Sequence, residues 1–139
     1  MENNILYLQK GNRTTIISCV GNKVIVVDSS LDDYLDHLCL KELTTLKGRM
    51  EAIKRKYHIR KNVPIYITPQ VVLFPTSNKK SVDNIYVNSV FVKNIDSNHN
   101  LTNITFYDDT TLTIDKPSHI IKLYYEKCLK IKKLIYEYC

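Results

Sequence analysis

The chain has 139 residues, of which 44% are hydrophobic and 24% are charged, and these values are typical of one folded domain with a single core. Its net charge of +6 favours a polyanionic partner, of which nucleic acid is the commonest. The apolar runs are strand-sized and no charged leader precedes them, which excludes a membrane-spanning helix and a secretory signal and predicts a cytoplasmic protein.

The four cysteines are scattered and form no CxxC pair. In a reducing compartment this spacing predicts reduced, mainly buried thiols. Zinc sites need paired ligands, and the nearest approach, His37 and Cys39, lacks a second pair. We therefore predict no metal and no cofactor, and expect Cys39 to lie in the core rather than to act as a redox switch.

Three short segments rich in Ile and Val open the chain, at residues 5–9, 14–19 and 23–28. Gly11-Asn12 and Gly21-Asn22 separate them, and such pairs are typical of hairpin turns. The pattern predicts a meander of three antiparallel strands.

A helical region follows. Ser29-Ser30 supplies a hydroxyl cap, and Asp32 and Asp33 place carboxylates in the first turn, beside the positive end of the helix dipole. Apolar residues then recur at three- and four-residue spacing up to Tyr57. Gly48 is a candidate interruption, and one long helix or two shorter ones both fit.

After residue 63 the hydrophobic period changes to that of strands. Residues 63–68 and 71–74 are predicted strands with prolines at their margins, and 84–95 is predicted as one further strand. Residues 101–107 and 110–115 form a predicted hairpin across Asp108-Asp109. This second antiparallel region can curl into a partly open barrel.

Pro117-Ser118 opens a closing helix. Its apolar stripe comprises Ile121, Tyr125, Cys128, Ile131, Ile135 and Tyr138. No internal repeat or flexible linker interrupts the chain, so we predict a single α+β domain over residues 1–139.

The most concentrated charge lies between residues 47 and 61. Seven cations stand there against one acid, Glu51, and a cluster of this kind neutralises DNA phosphates or enters a narrow A·T-rich minor groove. A solvated helix face explains the same residues equally well. A lysine pair, Lys79-Lys80, lies in the loop after the predicted strand 71–74. The cations of the main cluster are Lys47, Arg49, Lys54, Arg55, Lys56, Arg60 and Lys61.

The sequence contains few residue patterns that are typical of catalytic sites, so we predict that the protein is not an enzyme. The four histidines are dispersed, and glycine-rich phosphate loops of the GxGxxG and GxxxxGK[ST] types are absent from the sequence. Asp108-Asp109 is better explained as a turn than as a carboxylate pair.

A family resemblance emerges in the second strand region. Residues 63–69 (VPIYITP) and 72–76 (VLFPT) resemble the "KPPI…P…FLFPT" stretch of the competence transcription factor (ComK) family. Residues 84–92 (NIYVNSVFV) and 102–109 (TNITFYDD) resemble the family's "WI-x-H-x-x-V" strand and "T-x-V-x-F-x-N-G" hairpin. Cys39 and Gly48-Arg49 fall where the family has a Cys and a Gly-Arg pair. The similar region runs from about residue 39 to about residue 129.

The resemblance implies sequence-specific binding to paired A·T-rich boxes through the minor groove of double-stranded DNA, by an oligomer that activates genes for DNA uptake. The sequence departs from the family at Tyr86, which replaces a tryptophan, and at Asp109, which replaces the turn glycine. It also stops at Cys139 without the family's longer tail. The resemblance therefore indicates a divergent, C-terminally short member, for which DNA binding carries over better than activation or proteolytic control.

We accordingly predict a cytoplasmic, nucleoid-associated transcription factor with no small-molecule substrate and no membrane partner. Phe74 and Tyr86 are assigned to the core. The alternative is an interaction module or truncated antagonist that hetero-oligomerises with a full-length regulator. Convergence of Arg49, Arg55, Arg60 and Lys79 on one face would favour DNA binding, whereas scatter would favour the interaction module. The predicted DNA contacts are Arg49, Lys54, Arg55, Lys56, Arg60 and Lys61, with Lys79 and Lys80 secondary.

Overall fold

The computed structural model describes residues 4–138, with side chains described through residue 133. The predicted α+β class is confirmed. In chain order the elements are β1 (Ile5–Lys10), β2 (Thr15–Cys19), β3 (Lys23–Val27), α1 (Leu31–Leu40), α2 (Leu46–Tyr57), β4 (Ile65–Thr68), β5 (Val71–Pro75), β6 (Ile85–Asn88), β7 (Val92–Asn98), β8 (Leu101–Phe106), β9 (Thr111–Ile114) and α3 (Ser118–Tyr138).

The strands form two antiparallel sheets. The first has six strands in the order β3-β2-β1-β6-β5-β4, and the second has three in the order β7-β8-β9. The predicted N-terminal meander is confirmed, but it continues into β6, β5 and β4 rather than standing apart. No closed barrel forms among residues 4–138, because the second strand region divides between the two sheets.

The hairpin turns form where the sequence predicts them. Gly21 and Asn22 have φ values of 81° and 60°, in the left-handed region that glycine and asparagine tolerate best. Asp109, between β8 and β9, has a φ of 68°, and its amide donates to the Phe106 carbonyl at 2.9 Å. The interpretation of Asp108-Asp109 as a turn is confirmed.

Two helices, not one, fill the central region. The break falls at residues 41–45, where Leu43 has a φ of 61°, so the predicted interruption at Gly48 is wrong. Ser30 caps α1 by accepting a hydrogen bond from the Asp33 amide at 3.2 Å. Thr45 caps α2 by accepting from the Gly48 amide at 2.9 Å, so the glycine lies in the first turn of a helix.

The single strand predicted over residues 84–95 is also wrong, because a 3-10 turn (Ser89–Phe91) separates β6 from β7. The Asn88 side chain accepts from the Val90 amide at 3.3 Å, and Ser89 Oγ donates to the Val72 carbonyl at 2.8 Å. These polar side chains replace the strand ladder at that point. The chain therefore leaves the six-stranded sheet and enters the second one.

The core lies in two layers, one on each face of the six-stranded sheet. Along β5, Val71 and Leu73 pack with α1 and α2, whereas Val72 and Phe74 pack with the second sheet and α3. Phe74 is fully buried and Tyr86 is 2% exposed, so their assignment to the core is confirmed.

The thiols Cys19, Cys39 and Cys128 are buried and free, as predicted, and burial raises the pKa of each. Cys139 lies outside the described residues.

The apolar stripe predicted for the closing helix, α3, is confirmed in part. Ile121, Cys128 and Ile131 are buried and Tyr125 is half-buried, whereas Ile135 and Tyr138 fall outside the described side chains. Among the described helices, none combines the length and the apolarity required to cross a bilayer.

Candidate nucleic-acid interface

The pairing of β4 with β5 brings two basic segments together. The strands are antiparallel, with Ile65 opposite Leu73, so the segment that enters β4 lies beside the segment that leaves β5. The first is the end of the cluster around α2, and the second is the loop that contains Lys79. Cations almost twenty residues apart in the sequence therefore meet at one edge of the sheet.

A groove of about 570 Å³ lies at this edge. No carboxylate among the described residues lines it. A cleft lined by charges of one sign focuses the electrostatic field, so the groove attracts anions more strongly than the same charges would on a flat surface. Its five cations are Lys54, Arg60, Lys61, Lys79 and Lys116.

The lining also contains a buried phenol, that of Tyr86. Desolvation by burial raises the pKa of Tyr86 to about 12, with a smaller contribution from the charge of Asp32. The hydroxyl therefore stays protonated at neutral pH and is able to donate a hydrogen bond. Met50, Val63 and Ile120 contribute the apolar part of the lining.

The loop that presents Lys79 is held in place by hydrogen bonds. Asn84 Oδ1 accepts from the amides of Thr76 at 3.2 Å and Ser77 at 3.1 Å. From β1, Lys10 Nζ donates to the carbonyls of Lys79 at 3.0 Å and Ser81 at 2.9 Å. The position of Lys79 is thus fixed by the sheet rather than by the loop alone.

The opposite wall, residues 58–63, is held by α3. His58 and Asn62 have φ values of 56° and 50°, so two left-handed residues redirect the chain from α2 into β4. Asn62 Nδ2 donates to the Tyr124 hydroxyl at 2.9 Å, and Lys127 Nζ donates to the Lys61 carbonyl at 3.4 Å. The Lys127 ammonium also lies 5.4 Å from the centre of the Tyr124 ring.

Asp83 stands near the groove without lining it. The Ser81 hydroxyl, which is hydrogen-bonded to Asp83, lowers the pKa of that carboxyl, and the charge of Lys116 lowers it further. Asp83 is exposed, so water screens much of its attraction for Lys116. The groove therefore keeps a positive excess.

Four of the eight predicted DNA contacts line the groove, namely Lys54, Arg60, Lys61 and Lys79. The other four lie outside it.

Arg55, Lys56 and Lys80 are exposed. Arg49 is half-buried, with its guanidinium 5.9 Å from the centre of the Tyr66 ring. Arg60 and Lys79 therefore meet in the groove, whereas Arg49 and Arg55 lie outside it, Arg49 within cation–π range of Tyr66.

Sequence reasoning missed one cation of the groove, Lys116. It precedes Pro117 and belongs to no cluster in the sequence, and it reaches the groove only because α3 begins there. A lone lysine before a helix-opening proline gives no signal that distinguishes it from an ordinary surface residue.

The groove lining is poor in the residues that hold metal ions. Among the described residues, no group of three or more His, Cys, Asp or Glu side chains is placed to hold a metal ion. The histidines are exposed and outside the groove lining. What the arrangement offers is ammonium, guanidinium and hydroxyl donors directed at an anion.

The sequence matches a known family over nearly its whole length. Residues 5–137 match the family model described as ComK protein, and this span includes every residue that lines the groove. No curated protein and no solved structure matches the chain.

Proposed function

The chain belongs to the ComK family, a family of competence-related transcription factors, and from that premise we propose that it binds DNA in a sequence-specific manner and regulates genes for DNA uptake. The preferred sites are A·T-rich boxes approached through the minor groove. The protein acts in the cytoplasm, on the nucleoid, as a homo-oligomer.

The observation that carries this proposal is the convergence of cations in one groove. Lys54 comes from α2, Lys79 from the β5–β6 loop and Lys116 from the turn between β9 and α3, so the charge is gathered by the fold rather than by one helix face. Such a cluster releases counterions when it neutralises phosphates, which drives binding to DNA. The preference for A·T-rich boxes in this proposal rests on the family resemblance rather than on the groove.

The test is a fluorescence-anisotropy titration of the purified protein against an A·T-box duplex and a G·C-rich duplex of equal length, at two salt concentrations. We expect tighter binding to the A·T duplex at both. Reversal of two groove charges in Lys54→Glu/Lys79→Glu should weaken binding by about 100-fold, because two favourable phosphate contacts become repulsive.

The matched control is Lys23→Glu/Lys122→Glu, which makes the same change in net charge at exposed positions outside the groove. It should retain most of the affinity. Equal loss in both variants would show that only net charge matters and would contradict the proposal. Absence of binding at low salt would also contradict it and would favour an acidic protein partner.

A further inference from the structure

The shape of the groove restricts which part of DNA it accepts. Base edges lie inside the grooves of the duplex, where they are reached by a helix, a ribbon or an arm that projects from a protein. The cations described above line a concave surface instead. The part of a duplex that projects into a concave surface is its sugar–phosphate backbone.

The donors in the groove are also of the type that binds phosphate. Four of the five cations are lysines, whose ammonium groups act as point charges. Base reading by arginine or asparagine requires two hydrogen bonds in a fixed plane. The groove contains a single arginine, Arg60.

The two asparagines of the lining are already engaged in the fold. Asn62 donates through Nδ2 to Tyr124, and Asn78 accepts through Oδ1 from the Lys80 amide at 3.1 Å. Recognition of adenine uses the oxygen and the nitrogen of one amide together. One atom of each amide is therefore already held by a contact that shapes the groove.

We propose that this groove seats backbone phosphates of one DNA strand and thereby orients the protein on the duplex without reading its bases. Lys54, Lys79 and Lys116 supply the charge, and the base sequence is read by residues outside the groove. The inference rests on the proposed function, since it assigns a role to one part of the DNA-binding surface.

The walls are suited to this role because they are fixed before DNA arrives. Lys10 holds the Lys79 loop through two carbonyls, and α3 holds the facing segment through Tyr124. A preorganised site loses little conformational freedom on binding. Tyr86 adds a neutral hydroxyl donor to the lining.

The experiment measures how affinity depends on salt. The slope of log K against log salt counts the phosphates that are neutralised, with about 0.9 per contact on B-DNA. Lys54→Gln and Lys116→Gln are each titrated against the A·T and G·C duplexes over a series of salt concentrations. Lys23→Gln, at an exposed position outside the groove, is the matched single-charge control, and thermal melting checks the folding of every variant.

Each groove variant should weaken binding to both duplexes by the same factor and should reduce the magnitude of the salt slope by about one. The control should change neither quantity. An altered A·T preference with an unchanged slope would show base reading and would overturn the inference, while the proposed function would stand. Unchanged affinity in both groove variants would overturn it as well.

A wild-type protein without A·T preference would refute the sequence-specific function instead. In that case a reduced slope in the groove variants would still support the phosphate seat.

Discussion

The two ends of the six-stranded sheet arrange their charged residues differently. At one end, cations from α2, the β5–β6 loop and the turn before α3 converge in a groove that no described carboxylate lines. At the other end, near the turn between β2 and β3, the Gly21 amide donates to Asp108 at 3.1 Å and Lys93 pairs with Asp109 at 3.1 Å. The acids there have partners, a backbone amide for Asp108 and an ammonium for Asp109.

This comparison shows where the charges lie, which net charge alone does not. An excess of six positive charges leaves their position open, and an exposed pair such as Lys93–Asp109 contributes little to stability. Gathering like charges in one groove works against folding, because they repel one another. We interpret the groove as a place where the fold gives up stability for binding, and the far end as ordinary turn structure.

The largest expected effect falls on a buried amide that joins β6 to β1 and β5. Asn88 is fully buried; its side chain accepts from the Val72 amide at 3.1 Å and donates to the carbonyls of Ile5 and Gln70, each at 2.9 Å. Asn88→Ala leaves these groups without partners, so we expect a loss of about 4 kcal/mol in the free energy of unfolding. Urea denaturation measures it.

The control for Asn88→Ala is Asn98→Ala, the same change at an exposed position. It should cost less than about 0.5 kcal/mol. A loss of similar size in both variants would show that the buried amide does not join β6 to its neighbours.

The second effect appears at alkaline pH and belongs to the groove. The folded protein holds the Tyr86 proton up to about pH 12, whereas the unfolded chain releases it near 10. The contribution of the Tyr86 hydroxyl to the free energy of unfolding is therefore fully present below pH 10. It falls as the pH rises towards 12, by at most about 3 kcal/mol. Tyr86→Phe should flatten the stability profile over this range in denaturant titrations.

Burial also raises the pKa of Cys128 to about 12, so some alkaline loss remains in Tyr86→Phe. If the profiles of wild type and variant coincide, the hydroxyl of Tyr86 is not desolvated as the structure indicates.

A third, smaller effect tests how the groove wall is held. Lys10→Met keeps the aliphatic stem but removes the ammonium that binds the carbonyls of Lys79 and Ser81. The loop loses its anchor, so DNA affinity should fall by about fivefold, equivalent to about 1 kcal/mol. Lys10→Arg should restore part of that affinity at an unchanged melting temperature. Similar affinities for wild type and Lys10→Met would show that Lys10 does not position the loop.

The smallest effect belongs to the far end. Burial by itself raises the pKa of Asp108, but hydrogen bonds from Thr110 and the Gly21 amide outweigh it and lower the pKa below 3.8. The stabilisation that ionised Asp108 gives the folded protein is present at neutral pH and is lost as the pH falls through its lowered pKa. Asp108→Asn should cost about 0.5 kcal/mol at neutral pH, since the site is partly exposed. DNA binding should not change, and a clear loss of affinity would extend the binding surface to this end.

Local chemistry made most of the elements predictable. Hairpin pairs such as Gly21-Asn22 and the Ser30 cap act within a few residues, and each appears where the sequence indicates it. The break between β6 and β7 was missed, because residues 84–95 alternate like one strand. The turn depends on Asn88 and Ser89 bonding to chain segments that sequence neighbours do not reveal.

The sequence reveals most of the charged residues of the groove, but not that they come together. The cluster near α2 and the Lys79-Lys80 pair are visible in the sequence, but their meeting requires the register of β4 against β5. Lys116 gave no signal at all, and Arg49 lies outside the groove, with its guanidinium 5.9 Å from the centre of the Tyr66 ring. Long-range packing decides these outcomes, and it is the part of the structure that single-sequence patterns do not encode.

The most direct test of the account compares lysine reactivity with and without DNA. The wild-type protein is treated briefly with an amine-acylating reagent, alone and with a saturating A·T-box duplex, and each lysine is quantified by mass spectrometry. We predict that DNA protects Lys54, Lys79 and Lys116, while Lys23 and Lys93 react at the same rate in both samples. Equal protection at both ends of the sheet, or protection of Lys23 and Lys93 alone, would contradict the claim that the groove is the DNA-binding surface.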